Sequence, residues 1–178
     1  MIEIIIHGRG GEGAKTAAFM LAEAAILEGL YAQAFPEYGP ERSGAPVRAF
    51  VRISDKPIYT HSPITNPDIV VVINPTLIDR KENYDGLKDK GVVILNTDKP
   101  INLGFDEWIL DATRISLDTL GRPITNIPMM GALIRATSIV KPESFEEVIK
   151  THLAGKGGET VHKNIEAFKR SIQEVKHV

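Results

Sequence analysis

The 178-residue sequence contains no cysteine. That absence excludes disulfides, a cysteine nucleophile, and any cysteine-ligated zinc or iron–sulfur centre carried by this chain. Its five histidines, His7, His61, His152, His162 and His177, show no metal-ligand spacing, so no metal site is expected. Aromatic residues amount to 6% and the formal net charge is −2. Neither a base-stacking platform nor a basic field for nucleic acid is therefore present. No apolar run approaches the ~20 residues of a membrane span, so no membrane partner is expected. The opening Met-Ile-Glu-Ile-Ile-Ile-His-Gly lacks a basic segment and a cleavage site, so it does not read as a signal peptide, and the expected location is cytoplasmic. What is there, 43% hydrophobic and 25% charged residues, is the composition of a globular protein. The length suits one domain over residues 1–178, and no repeat, low-complexity tract or linker divides it.

Hydrophobic periodicity sets out an α/β order. Ile2 to His7 is a β-branched run that reads as a buried first strand. From about Glu12 to Glu28 the apolar positions follow helical spacing, and Gly29 supplies a stop. "YAQAF" at 31–35 reads as a second strand, which completes a βαβ unit and predicts a parallel pair. "VRAFVRIS" at 47–54 alternates Val47, Ala49, Val51 and Ile53 against Arg48, Phe50 and Arg52, a strand with one face covered. "DKP" then predicts a turn into "IYTH", a small hairpin outside the parallel order. "DIVVVIN" at 68–74 and "GVVILN" at 91–96 are continuous apolar runs, as expected of parallel strands buried on both faces, and "WILD" at 108–111 reads as a further strand.

Helices are predicted to open at Pro75, at Arg114, and at Asn126 as a possible cap, the last with Pro128 in its first turn. Asp111 is expected to cap a helix, and Ser144-x-x-Glu147 has the form of a capping box. In the last helix Val161, Ile165, Phe168, Ile172 and Val175 form an apolar seam, flanked by Glu159–Lys163 and Glu166–Arg170 at i,i+4 spacing. The fold class expected is α/β: a three-layer Rossmann-like domain with a mostly parallel sheet and a small hairpin excursion.

The stretch "IIIHGRGGEGAKT" carries the first chemical signal. Gly8, Gly10 and Gly13 satisfy G-x-G-x-x-G between a strand and a helix, with Arg9, Gly11 and Glu12 inside the turn. Unpaired N–H groups at the helix start favour an anion there. Three readings stay open: a tight β–α turn only, a site for an anion or cofactor phosphate, or a nicotinamide dinucleotide site. The last needs a ribose-binding acid about 20 residues on, and Glu37 lies near that position. A P-loop is excluded because Ala14 separates Gly13 from Lys15, turning the lysine by about 100° around the helix. His7 reads as a hydrogen-bonded core or rim histidine, and Met129 and Met130 as apolar filling.

A longer constellation is more specific. "HGRGGEGAKTAA", "AFPEYGPERSGAPVRAFVRIS", "NPDIVVVIN" and "NIPMMGALIRAT", in that order, resemble the gamma subunit of the 2-oxoacid:ferredoxin oxidoreductases of the pyruvate/ketoisovalerate type. The family often has glutamine where Glu12 stands. The resemblance implies a non-catalytic part of an enzyme that oxidatively decarboxylates a 2-oxoacid, reduces ferredoxin and forms acyl-coenzyme A. It implies alpha, beta and delta partner subunits. Thiamine diphosphate with Mg2+ would lie between alpha and beta, and [4Fe-4S] clusters in delta and often beta. No tightly bound cofactor is implied for this chain. Gly8 to Gly13 and Arg42 are candidate contacts for the phosphates of coenzyme A, since arginine's planar fork suits phosphate. Glu37, Tyr38, Glu41, Ser43 and Gly44 are candidates for loop structure and subunit contact. No residue is assigned a catalytic or metal-binding role. The rival readings are a stand-alone nicotinamide-dependent reductase and a ligand-sensing Rossmann-like module.

Overall fold

A computed structural model describes residues 1–37 and 43–178. The candidate positions Tyr38, Glu41 and Arg42 lie outside the described residues. The strands are β1 (Ile2–Arg9), β2 (Tyr31–Pro36), β3 (Pro46–Ser54), β4 (Ile69–Val72), β5 (Val92–Asn96), β6 (Asp106–Leu110) and β7 (Lys176–His177). The helices are α1 (Ala14–Leu27), α2 (Ala112–Leu120), α3 (Asn126–Thr137), α4 (Pro142–Leu153) and α5 (Gly158–Glu174). Short 3-10 helices occupy Pro75–Leu77, Lys81–Tyr84 and Ala154–Lys156.

The strands form one mixed sheet in the order β2-β3-β1-β4-β5-β6-β7. β1, β4, β5 and β6 pair in parallel, as their continuous apolar runs predict. β1 and β2 point the same way but do not touch, which corrects the parallel pair expected of them. β3 lies between them, antiparallel to both. The hairpin excursion is thus β2–β3, within the sheet, and "IYTH" forms no strand. Both faces of β3 are covered, not one: Ala49 to Ser54 are all buried, Arg52 included at 1% exposure. Its Nε donates to Glu3 Oε1 at 2.8 Å and its Nη2 to the Ser62 carbonyl at 2.7 Å, so the charge enters the core with its donors satisfied.

All five α-helices bury residues into one core with Ile4, Ile6, Ile69, Val71 and Ile94, on one face of the sheet. The opposite face carries Val70, Val72, Val93, Leu95 and Ile109, covered by Leu77, Ile78 and Tyr84 from the 3-10 segments and their flanks. Beside it, Ile5, Phe50 and Ile64 make a smaller cluster. The third layer is therefore thin, and among the described residues no α-helix roofs the β1–β3 end on that side.

Helix ends follow local chemistry. α1 starts two residues later than its periodicity suggests, because Gly13 at φ 84° is its N-cap and holds a left-handed conformation. It ends in a Schellman arrangement, with Leu30 N–H to Ala25 O at 3.1 Å and Gly29 N–H to Ile26 O at 2.9 Å. Asp111 caps α2 through the Arg114 N–H at 2.9 Å, as expected. Asn126 is not the cap of α3; Thr125 is, and the helix stops at Thr137 with Ser138 left-handed. The Ser144–Glu147 capping box does not form either, because Pro142 already opens α4 at its first position. On α5 Lys163 pairs with Glu159 at 2.7 Å, whereas Arg170 turns to Glu174 and Asp118 instead of Glu166. The α5 seam packs on this chain's own core, with Phe168 fully buried against Phe145 at 5.1 Å between ring centres. Close approach to α3 needs Gly131: a Cβ there would lie 1.9 Å from Ser171 Oγ and 2.9 Å from the Phe168 carbonyl.

Candidate functional site: the glycine turn and the helix-free cleft

The turn between β1 and α1 sits at the C-terminal ends of the parallel strands, where open α/β sheets place ligands. It is tied on three sides. Gly10 N–H donates to Ala45 O at 2.8 Å, and Gly44 N–H to Gly10 O at 3.1 Å, which joins the turn to the strand entering β3. Arg9 donates from Nε and Nη2 to Thr76 Oγ1 at 3.0 and 2.7 Å, and from Nη1 to Gly44 O at 3.0 Å. Glu12 accepts the Arg9 N–H at 2.7 Å on one carboxylate oxygen and Asn74 Nδ2 on the other. Asn74 Oδ1 in turn accepts from Thr76 N–H at 2.9 Å and its hydroxyl at 2.6 Å. Arg9 and Glu12 are therefore half-buried braces of the turn.

What the turn leaves open is backbone. Gly13 offers α1 no side-chain cap, so the first N–H groups of the helix meet no side chain of their own cap residue. Around them Arg9, Gly10, Gly11, Gly13, Lys15, Thr16 and Ser43 line a concavity of about 450 Å³. Lys15 belongs to this rim in spite of its displaced position in the sequence; its Nζ lies 5.9 Å from the centre of the Phe19 ring. Gly8 packs without a side chain against Ala14, where an added Cβ would come within 3.2 Å. Asn126, nearly buried, sets its amide against Gly13, and its Oδ1 has no partner among the described residues. Among the described residues no group of three or more histidine, aspartate or glutamate side chains stands together as a metal site.

A second concavity, about 600 Å³, opens on the opposite face, where the described residues place 3-10 helices but no α-helix. Ile5, Phe50 and Ile64 form its apolar wall, and His7, Glu37 and Arg48 its polar one. His7 is 4% exposed, and its Nε2 has no partner among the described residues. Burial first, and then the Arg48 charge, lower its pKa to about 4, against raising contributions from the Asn83 backbone, Glu37 and Glu82. The imidazole is therefore neutral at pH 7. His7 thus lies in the core as expected, but with one nitrogen unpaired. Arg48 donates from Nε to Glu37 Oε2 at 2.8 Å, and this hydrogen bond holds the Glu37 carboxyl below its ordinary pKa.

The sequence candidates thus divide between two places. Gly8 to Gly13, Ser43 and Gly44 meet in the tied turn. Glu37 faces the other cleft, and its carboxylate, the acid a dinucleotide ribose would need, is engaged by Arg48. The residues missed by inspection are Arg48, Asn74 and Thr76, and Lys15, set aside with the P-loop, returns as part of the rim. Asn74 and Thr76 carried a usable signal: polar residues immediately after the buried parallel strand "DIVVVI" stand at the ligand end of the sheet. Asn96, the last residue of β5, serves the sheet itself, donating to Ile73 O at 2.8 Å and accepting from Ala112 N–H at 3.0 Å.

With this geometry the chain is similar to a group of known proteins along nearly its whole length. It is 49% identical to the pyruvate/ketoisovalerate oxidoreductases common subunit gamma of Pyrococcus furiosus, over 97% of this chain and 96% of that one. It is 48% identical to pyruvate synthase subunit PorC of Methanothermobacter thermautotrophicus, over 98% and 96%. The crystal structure of pyruvate oxidoreductase subunit PORC from Thermotoga maritima superposes with a TM-score of 0.89 at 43% identity, covering 99% of this chain and 97% of that one. The family profile described as pyruvate ferredoxin/flavodoxin oxidoreductase matches residues 3–174. The chain belongs to the pyruvate ferredoxin/flavodoxin oxidoreductase family.

Proposed function

We propose that this chain is the gamma subunit of a multi-subunit pyruvate:ferredoxin oxidoreductase, acting as a single cytoplasmic domain over residues 1–178 and carrying no catalytic centre of its own. The observation that carries the reading is the likeness to gamma and PorC subunits along nearly the whole chain. The chemistry of the chain agrees with a supporting part. With no cysteine it has no thiolate to ligate an iron–sulfur cluster, in keeping with the resemblance, which implies [4Fe-4S] clusters in the delta and beta chains and thiamine diphosphate with Mg2+ between the alpha and beta chains. The rival nicotinamide reading loses its ribose acid to the Glu37–Arg48 pair.

Within this reading the glycine turn is the part offered to coenzyme A. The uncapped first turn of α1, with Lys15 and Thr16 on its rim, suits a phosphate. Arg9 and Glu12 hold the turn in shape for it, and Arg42 remains a candidate second cation. Ser43 and Gly44, with Glu37, Tyr38 and Glu41, are assigned to loop structure and subunit contact. The exposed rim of the second cleft at Glu37, Pro46 and Arg48 offers the other chains a surface that no α-helix covers among the described residues.

The test is affinity purification of the tagged chain from its native cell. Thiamine-enzyme and ferredoxin-type chains should co-purify, and the assembly should form acetyl-coenzyme A from pyruvate and reduce ferredoxin. Recovery of the chain alone, or turnover of pyruvate by the chain alone, would sink the proposal. In the assembled enzyme, Lys15→Ala and Arg42→Ala should raise KM for coenzyme A more than KM for pyruvate. Equal effects on both would reduce these residues to scaffolding.

A further inference from the structure

The sheet ends on one side at β2, whose only strand partner among the described residues is β3. Ladder alternation fixes which of its amides look outward. Glu37 N–H donates to Arg48 O at 2.9 Å, one step beyond the Pro36–Ala49 pair. Alternate residues of an antiparallel pair exchange both bonds, so Tyr31, Gln33 and Phe35 bond to β3. The N–H and C=O groups of Ala32 and Ala34 point away from the sheet. The other side of β3 agrees: Gly10 N–H to Ala45 O puts its odd-numbered residues on β1 and its even-numbered ones on β2.

Open edges are ordinarily defended by charge, proline or a bulge. "YAQAF" has no charged side chain, and proline only follows at its end, as Pro36. Large apolar side chains stand exposed on one side of it, and exposed His61 lies on the rim of the concavity along the strand. Ile26 and Leu27, at the end of the helix packed along β2, are 55% and 60% exposed, and Tyr31 is 48% exposed. At the centre of the strand, Gln33 Oε1 is buried without a hydrogen-bond partner among the described residues.

We infer that β2 is the seam of a two-fold dimer of this chain, in which two β2 strands pair antiparallel about an axis at Gln33 and the two sheets continue as one. In this register Ala32 faces Ala34 of the second copy, and every outward amide of these alanines finds its complement. Gln33 stands opposite its own counterpart across the axis, and Tyr31 faces Phe35 of the second copy as a cross-strand aromatic pair. A second copy fits better than an unlike strand because the strand is self-complementary in this register and sets no like charges opposite one another. The inference stands on the β2 edge and is independent of the enzyme reading.

The test uses the purified full-length chain. Sedimentation velocity should show a concentration-dependent dimer. Ala34→Pro removes an amide hydrogen that β3 does not use, so it should keep the native circular dichroism while weakening the dimer about tenfold or more. Gln33→Cys, in a chain with no other cysteine, should form a disulfide dimer on mild oxidation, because directly opposed Cβ atoms lie about 4.5–5.5 Å apart. Tyr31→Cys, which does not face its own copy, should not. A native chain monomeric at every concentration, with Gln33→Cys uncrosslinked, overturns the inference. So does a β2 edge whose amides resist hydrogen exchange only when unlike chains of the assembly are bound.

Discussion

The Arg9 guanidinium grips the Thr76 hydroxyl from two of its nitrogens, at 3.0 and 2.7 Å, across 67 positions of sequence. That contact joins the glycine turn to the 3-10 helix that follows β4, and Glu12 closes the same junction through Asn74. The charged residues of the turn are thereby spent on its shape, and its backbone is what remains for a ligand.

Removing the brace should loosen the fold measurably. Glu12→Ala leaves the Arg9 N–H and the Asn74 amide without their acceptor, at a cost of about 1–3 kcal/mol in urea unfolding. Glu12→Gln keeps one carbonyl acceptor and should cost less than half as much. Thr76→Val, at an exposed strap, should cost about 1 kcal/mol.

Stability should fall on mild acidification because of His7. Its folded pKa of about 4 lies below the ordinary 6.5, so the unfolded chain binds the extra proton between these values. The contribution is complete above pH 6.5 and is lost as pH falls toward 4, on the order of 3 kcal/mol in all. The neighbouring charges are Arg48, which adds to the depression, and Glu37 and Glu82, which oppose it. His7→Leu should flatten thermal stability against pH across this window; an unchanged slope would assign the effect to other groups.

The two arginines of β3 should behave differently. Arg48, 43% exposed in its pair with Glu37, should cost less than about 1 kcal/mol when replaced by alanine. Arg52, buried against Glu3 and two loop carbonyls, should cost about 3 kcal/mol or more under the same change. Chemical denaturation of both variants makes the comparison.

Helix contact in the core predicts a coupled pair. Gly131→Ala pushes a methyl group into Ser171 Oγ and should cost about 1–3 kcal/mol. Ser171→Gly in the same chain should recover part of it, giving a non-zero interaction energy in a double-mutant cycle.

Much of this architecture was legible in the chain. The runs "DIVVVIN" and "GVVILN" became β4 and β5, and Gly29 and Asp111 ended and began helices as their chemistry requires. The glycine turn was found between the first strand and the first helix, although β1 runs on through Gly8 and Arg9 and leaves Gly10 to Gly13 as the turn itself. Reading "YAQAF" as the parallel neighbour of β1 failed because the strand inserted between them, β3, comes later in the sequence. Asn126 looked like a cap and instead packs its amide against Gly13.

By itself the sequence determined which segments become strands and helices, because side-chain period and turn chemistry act over a few residues. It determined also that no thiolate chemistry resides in this chain. Only the tertiary structure decided which strands lie side by side, that the α-helices of the described residues share one face, and that Arg9, Glu12 and Arg52 are consumed by internal bonds. The reason is distance along the chain. Local periodicity carries no information about a partner that lies tens of residues away, and such partners are chosen by what the whole core can bury and every buried polar group can bond.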